Sequence, residues 1–187
     1  MALSASSAAI YIIRLIQGKA RPERITWLLW AILGAVYLVA AIRTGGNVVY
    51  TSAVFVGPVV VFFLSFKYGV GGKSTLDLVS LAVATVALIL LLFTNHAIIS
   101  LALCIFVDLI GALLTIRKLM IDPSSEPKIT WLLSALGGGC ALLGLQNYRV
   151  ENLVFPVYIM ILGLFTFMLV KPAPEGEQSD PAKLNAL

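Results

Sequence analysis

Asp108 is the residue of this chain whose chemistry is least expected at its position. It lies within an apolar stretch, after Ile105-Phe106-Val107 and before Leu109-Ile110. A carboxylate at the centre of a bilayer costs roughly 3 kcal/mol on insertion scales, so it should face a bundle interior or water. Such a group can contact a substrate or carry a proton, or it can clamp two helices together. We predict that Asp108 belongs to the substrate site, where it binds either a polar or cationic group of the substrate or a proton.

Asn152, Pro156 and Tyr158 form a second group of polar or helix-breaking residues in an apolar stretch. A proline inside a helix removes a backbone hydrogen bond and kinks the helix, which exposes a carbonyl or creates a hinge. A static kink that aids packing is the alternative. We predict that these three residues line the substrate site with Asp108, and that Pro58, in the equivalent place of another stretch, belongs to a gate.

Trp27 and Trp131 each follow a basic residue at the start of an apolar stretch. The sequence leaves two interpretations open: a gate contributed by two equivalent segments, or tryptophans that anchor helices at the membrane interface. We predict a gating role for both.

No motif of an enzyme is present. The chain has no HExxH, P-loop or GxSxG sequence. Cys104 and Cys140 have no CxxC spacing, which argues against a metal site or a disulfide. The sequence therefore predicts a protein that is not an enzyme, has no cofactor and holds no metal. The net charge of +4 arises in loops between apolar stretches, so nucleic acid is not expected as a partner.

The composition indicates that lipid is the solvent. Hydrophobic residues make up 60% of the chain, charged residues 12%, and the mean hydropathy is +1.00. A chain in lipid must satisfy its backbone internally, which favours an all-α fold. Stretches near the length of roughly 20 residues that a membrane helix needs occur at Ile25–Ile42, Val48–Phe66, Leu76–Thr94, Ala97–Ile116, Ile129–Gln146 and Leu153–Val170, with a shorter one at Ala2–Gln17.

The pentapeptide Ile-Thr-Trp-Leu-Leu occurs twice, at Ile25–Leu29 and Ile129–Leu133. Such self-similarity indicates a duplicated unit. Aligning the copies pairs the end of Ala2–Gln17 with the end of Ala97–Ile116, so we count the shorter stretch as a helix. The sequence thus predicts seven transmembrane helices: repeat one over residues 2–66, a linker helix over 74–94, and repeat two over 97–170. Because the linker is a single helix that crosses the membrane once, the two three-helix repeats have the same orientation.

The basic residues predict the orientation of this single transmembrane domain, residues 1–170. Eleven of the thirteen lie on one predicted side, and only Arg43 and Arg149 lie on the other. By the positive-inside rule the C-terminus is cytoplasmic and the N-terminus outside. Residues 171–187 are rich in Pro, Glu, Gln and Asp and are predicted to be a disordered cytoplasmic tail. Short loops and compact size favour a prokaryotic plasma membrane.

Two segments resemble a known superfamily. Ile12–Lys19 is similar to the hydrophobic-Arg-hydrophobic-x-x-Lys end of helix 1 in the SWEET and PQ-loop superfamily, and Leu114–Lys118 is similar to the matching end of helix 5. The Pro-Gln dipeptide is absent, and the pattern is closest to PQ-loop-like prokaryotic membrane proteins. The resemblance implies alternating access by two rocking triple-helix bundles.

Together these features predict a small-solute transporter, either a uniporter or proton-coupled, with its site near the bilayer midplane. A receptor-like protein that binds a ligand without transport, or a scaffold, is the alternative. A small-molecule solute and the lipid bilayer are the expected partners, and a homo-oligomer stays open.

Overall fold

The computed structural model describes residues 2–44, 48–145, 148–171 and 184, and within them the chain is helical. An isolated bridge between Glu23 and Val70 is the extended pairing recorded in this part of the chain. The prediction of an all-α chain is confirmed. The helices are α1 (Ala2–Ile16), α2 (Arg24–Thr44), α3 (Val48–Tyr68), α4 (Thr75–Phe93), α5 (Ala97–Ile121), α6 (Lys128–Leu143) and α7 (Val150–Leu169).

Five of these helices have the length and apolar composition of membrane spans, namely α2, α3, α4, α5 and α7. The helices α1 and α6 are apolar but shorter. Large apolar side chains project from the bundle surface; Phe93, for example, is 80% exposed and Met168 is 72% exposed. An exposed apolar surface on several long helices indicates an integral membrane protein, because lipid is the solvent that such a surface requires.

Hydrogen bonds and ion pairs, and not only the limits of the apolar stretches, determine where the helices begin and end. Helix α4 begins after Ser74, whose side chain accepts from the Asp77 N–H while the Asp77 side chain accepts from the Ser74 N–H. This capping box satisfies backbone donors that would otherwise have no partner. At the other extreme, α5 continues five residues beyond its predicted end at Ile116, because Lys118 is fully buried and bonded inside the protein. Charge alone therefore did not end the helix.

Six of the helices form a closed ring, which we call the six-helix ring. Going around it, α1 contacts α3, α3 contacts α2, α2 contacts α5, α5 contacts α7, α7 contacts α6, and α6 contacts α1. Helix α4 lies outside the ring against α5 and α2. Among the described residues the backbones of opposite helices do not approach each other across the ring; only side chains reach over it. An interior space is therefore available for a ligand.

The loops at one end of the ring, which we call the basic end, are tied together by polar contacts. Arg24 donates through its guanidinium to the carbonyls of Ser65, Gly69 and Gly71, at 3.1, 3.0 and 2.7 Å. These bonds join the start of α2 to the end of α3 and the loop that follows. The fork of donors on arginine suits such multiple acceptance.

Glu23 caps the first turn of α2 at the same end. Its carboxylate accepts from the backbone N–H groups of Ile25 and Thr26, at 3.1 and 2.6 Å. Only 1% of Glu23 is exposed. Burial raises the pKa of this carboxyl above its ordinary value of 4.5, although its hydrogen bonds to the helix terminus act in the opposite direction.

The division of the chain into one domain and a tail is a prediction. Residues 172–183 and 185–187 of the predicted disordered tail lie outside the described residues.

Candidate functional site

A cavity of about 600 Å³ lies inside the six-helix ring. Each of the six ring helices contributes to its wall, and α4 contributes nothing. Its volume falls within the range of small-molecule sites, roughly 300–1,000 Å³. Six aromatic side chains line it: Tyr11, Trp27, Trp30, Tyr37, Trp131 and Phe155.

Asp108 is the charged residue in the cavity wall formed by the described residues. It stands near the middle of α5 and is 9% exposed. The Tyr158 hydroxyl, on α7, donates to Asp108 Oδ2 at 2.6 Å. The salt bridges in the described part of the chain join Arg117 to Asp77 and Lys118 to Glu126, so no basic side chain there neutralises Asp108.

Aromatic rings continue from Tyr158 into the cavity wall. The ring centroids of Tyr158 and Phe155 are 6.3 Å apart, and those of Phe155 and Tyr37 are 5.8 Å apart at an interplanar angle of 65°. Edge-to-face geometry of this kind is favourable for aromatic pairs. The carboxylate of Asp108 thus lies at one end of an aromatic wall formed by α2 and α7.

The basic end of the cavity is closed by a chain of four aromatic rings. Ring centroids are 4.5 Å apart for Tyr11 and Trp27, 5.1 Å for Trp27 and Trp30, and 6.0 Å for Trp30 and Trp131. Tyr11, Trp27 and Trp131 are buried. These side chains come from α1, α2 and α6, so they join both predicted repeats across the ring.

Glu126 holds this aromatic chain in place. Its Oε1 accepts from the Tyr11 hydroxyl at 2.9 Å, its Oε2 accepts from Trp131 Nε1 at 3.2 Å, and it forms an ion pair with Lys118. Lys118 also donates to the Arg21 carbonyl. Lys118 and Glu126 are 0% and 3% exposed. We call this set of residues, Tyr11, Lys118, Glu126 and Trp131, the basic-end latch.

The opposite end of the cavity has no such closure among the described residues. The lining residues there include Ala40, Ala53 and Ala141, and all three are exposed. The cavity is therefore sealed at the basic end and reaches exposed residues at the other.

The structure brings several of the predicted site residues together. Asp108, Pro156, Pro58, Trp27 and Trp131 all line the cavity. Tyr158 is half-buried and reaches the site through Asp108. Asn152 is exposed near the start of α7 and is not among the lining residues.

Each proline helix packs closely against a glycine of the preceding helix. A methyl group at Gly34 would stand 2.7 Å from the Phe55 Cα and 2.9 Å from the Val54 carbonyl oxygen. That carbonyl is the one that Pro58, four residues later, leaves without its helical partner. A methyl group at Gly138 would likewise stand 2.8 Å from the Pro156 carbonyl oxygen. The backbones of α2 and α3, and of α6 and α7, therefore meet at the prolines.

Sequence reasoning missed Lys118 and Glu126 as functional candidates. Lys118 was counted among the basic residues of the predicted cytoplasmic side, and Glu126 was not singled out. A signal was available in the spacing of the repeats. The copy of the pentapeptide follows Glu126-Pro127, whereas the first follows Pro22-Glu23, so an acidic residue stands in each loop but in opposite order.

The fold and the cavity define a helical integral membrane protein with an internal cavity enclosed by its helices, and Asp108 lies in that cavity near the middle of α5. No family model, curated protein or solved structure matches the chain. Any more specific function has to be argued from the site itself.

Proposed function

We propose that this protein is a small-solute membrane transporter, a uniporter or a proton-coupled carrier, that works by alternating access around Asp108. The observation that carries the proposal is the cavity of about 600 Å³ inside the six-helix ring, sealed at the basic end and reaching exposed residues at the other. Such a cavity suits one of the two states that alternating access requires. Asp108 lies near the middle of the 25-residue helix α5, which suits a site at the membrane midplane.

The helix contacts support two repeats of three helices joined by α4. In the first set, α3 contacts both α1 and α2; in the second, α7 contacts both α5 and α6. The two sets meet through α2 with α5 and through α1 with α6, which are equivalent pairs. Two three-helix sets joined by one helix are what the resemblance to the SWEET and PQ-loop superfamily implies.

Hydrogen bonds at the two meeting points support the same arrangement. The Thr26 hydroxyl donates to the Gly111 carbonyl at 2.6 Å, and the Ser7 hydroxyl donates to the Thr130 carbonyl at 3.1 Å. In the alignment that superimposes the pentapeptides, Thr26 corresponds to Thr130 and Ser7 to Gly111. Equivalent positions therefore bond across both interfaces, with donor and acceptor exchanged.

Opening of the basic end would separate the aromatic chain and the basic-end latch. Trp27 and Trp131 would act as the gate, since they belong to different repeats and meet through Trp30. Pro58 and Pro156 would provide the bending points, because a helix that lacks one backbone bond bends there most easily. In the proposed orientation the basic end faces the cytoplasm, so under this proposal the closed basic end would be the cytoplasmic gate.

Blocking the cavity tests the proposal directly. Ser134 lines the cavity, whereas Leu136, on the same helix, is 49% exposed on the bundle surface and does not. Ser134→Trp and Leu136→Trp therefore add the same side chain inside and outside the ring. Both variants and the wild type are reconstituted in liposomes and assayed for uptake of sugars, amino acids, vitamins and organic cations.

Uptake of a solute by wild type and Leu136→Trp, with loss in Ser134→Trp, is the expected result. Equal uptake in both variants would overturn the central pathway. Ligand-dependent thermal stabilisation without uptake of any solute would replace the transporter with a receptor-like function. For a proton-coupled carrier, uptake depends on pH, and Asp108→Asn removes that dependence.

A further inference from the structure

The cavity wall carries an unbalanced charge. Six aromatic side chains and one carboxylate face the space, and no Lys, Arg or His is among the lining residues of the described chain. Tyr158 satisfies Oδ2 of Asp108, but a neutral hydroxyl adds no positive charge. A desolvated carboxylate without a counter-charge is costly, and a positive ligand would supply that charge.

An inorganic cation does not suit this wall. Hard metal ions take six or more oxygen ligands, which usually include several carboxylates or carbonyls. Among the described residues there is no group of three or more His, Cys, Asp or Glu side chains that could hold a metal ion. The group bonded to Asp108 is instead an aromatic hydroxyl, that of Tyr158, and the rings of Phe155 and Tyr37 continue from it along the cavity wall.

Aromatic faces beside a carboxylate form a site for an ammonium or amidinium group. A cation within about 6 Å of a ring centroid is attracted by the electron-rich face, and the attraction grows when water is excluded. Tyr37 on α2 and Phe155 on α7 line the same cavity as Asp108, so ring surface from two helices shares the space that the carboxylate faces. The remaining length of the cavity, toward Trp30 and Trp131, can hold an apolar or aromatic body attached to the cation.

We propose that the solute is an organic cation, bound with its charged nitrogen between Asp108, which Tyr158 positions, and the aromatic rings of Tyr37 and Phe155. This inference rests on the proposed function, whose site it shares. It assigns charge selection to Asp108, while the shape of the aromatic wall selects the substituents on the nitrogen.

The test compares cations with neutral molecules of the same shape. Choline is paired with 3,3-dimethyl-1-butanol, benzylamine with benzyl alcohol, and benzamidine with benzamide. Binding to the purified full chain is measured by equilibrium dialysis and by quenching of tryptophan fluorescence. The variants are Asp108→Asn, Phe155→Leu and, as the control, Leu136→Trp.

We expect at least one cation to bind wild type and Leu136→Trp, with its neutral partner weaker by tenfold or more. Asp108→Asn should remove the preference for charge, and Phe155→Leu should weaken the cation several-fold. The Phe155 variant keeps the test decisive if Asp108→Asn does not fold.

Two results would overturn the inference. One is a neutral partner that binds as well as its cation; the other is the absence of binding by every cation of the panel. Liposome uptake separates this failure from failure of the transporter. Uptake of neutral solutes blocked by Ser134→Trp would keep the transporter and reject the cation, whereas cation binding without uptake would keep the site and reject transport.

Discussion

The basic-end latch provides the prediction that the structure defines most sharply. Glu126→Gln removes the counter-charge of Lys118, whose side chain is fully buried. Removing one partner of a buried ion pair typically costs about 3–5 kcal/mol, because the other charge is left uncompensated. Lys118 would retain the Arg21 carbonyl and the glutamine oxygen as acceptors, and neither carries a charge.

Lys118→Met should cost less than Glu126→Gln. The carboxylate of Glu126 would keep two donors, the Tyr11 hydroxyl and the Trp131 indole N–H. Hydrogen bonds to a charged group contribute about 1.5–3 kcal/mol each, so these two offset part of the loss. The double variant, Lys118→Met with Glu126→Gln, should cost no more than Glu126→Gln alone, since no buried charge remains.

The assay is the free energy of unfolding in mixed micelles for the four proteins of this double-mutant cycle. A coupling energy of 2 kcal/mol or more between the two sites is the expected order of magnitude. Costs that add to within about 0.5 kcal/mol would show that the pair is energetically independent and would refute the reasoning.

Glu126→Gln also tests the proposed gate at the basic end of the cavity. A single reporter, Ser134→Cys, is placed in the cavity after Cys104 and Cys140 are replaced by alanine. In sealed vesicles of known orientation, a membrane-impermeant maleimide should label it only from the side opposite the basic end. Glu126→Gln should increase labelling from the basic end, and unchanged labelling with a destabilised protein would make the latch structural only.

Three further predictions concern packing, titration and closure. Gly138→Ala should destabilise the protein by about 1–3 kcal/mol through overpacking, whereas Gly139→Ala, whose methyl group would have no neighbour closer than 3.9 Å, should be neutral or stabilising in the same unfolding assay. Because the pKa of Glu23 is raised, its ionisation disfavours the folded state, so this residue makes stability fall as pH rises above 4.5 toward the raised pKa. Glu23→Gln should therefore make the melting temperature fall less steeply with pH. The same slope of melting temperature against pH in both proteins would contradict this. Ala53→Phe at the exposed end of the cavity should retain ligand binding and slow uptake, with Ser134→Cys still labelled from that end; normal uptake would contradict it.

The sequence predicted the helices well because apolar length and the repeated pentapeptide are local signals. It placed the end of α6 at Gln146, but the helix ends at Leu143 before Gly144, a residue of low helix propensity. It placed the end of α5 at Ile116, before the basic pair Arg117-Lys118, because charge usually marks the membrane boundary. Burial of Lys118 depends on Glu126 and Arg21 from other segments, and no local pattern reveals that pairing.

Some residues of the candidate site could be predicted from the local sequence, and others are recognisable only in the folded protein. Asp108 could be predicted because a carboxylate in an apolar helix is conspicuous without any knowledge of the fold. Phe155 could not, because an aromatic residue in such a composition is as ordinary as leucine. Its importance comes from the closure of the six-helix ring, which places α7 on the same cavity as α5.

The two ends of the cavity differ in chemistry, and this difference bears on how an alternating carrier would work. The basic end is held by large rings and a buried ion pair, so its opening has a high local cost that contacts elsewhere must offset. Among the described residues, those lining the other end include Ala40, Ala53 and Ala141, and small side chains let helices approach closely in a membrane. Closure there would bring α2, α3 and α6 together at these small residues. A ligand between Asp108, Tyr37 and Phe155 would contact α5, α2 and α7, and it would favour that closure only by binding the closed form more tightly. On this argument the latch sets the resting state, and the energy of ligand binding sets how often the protein leaves it.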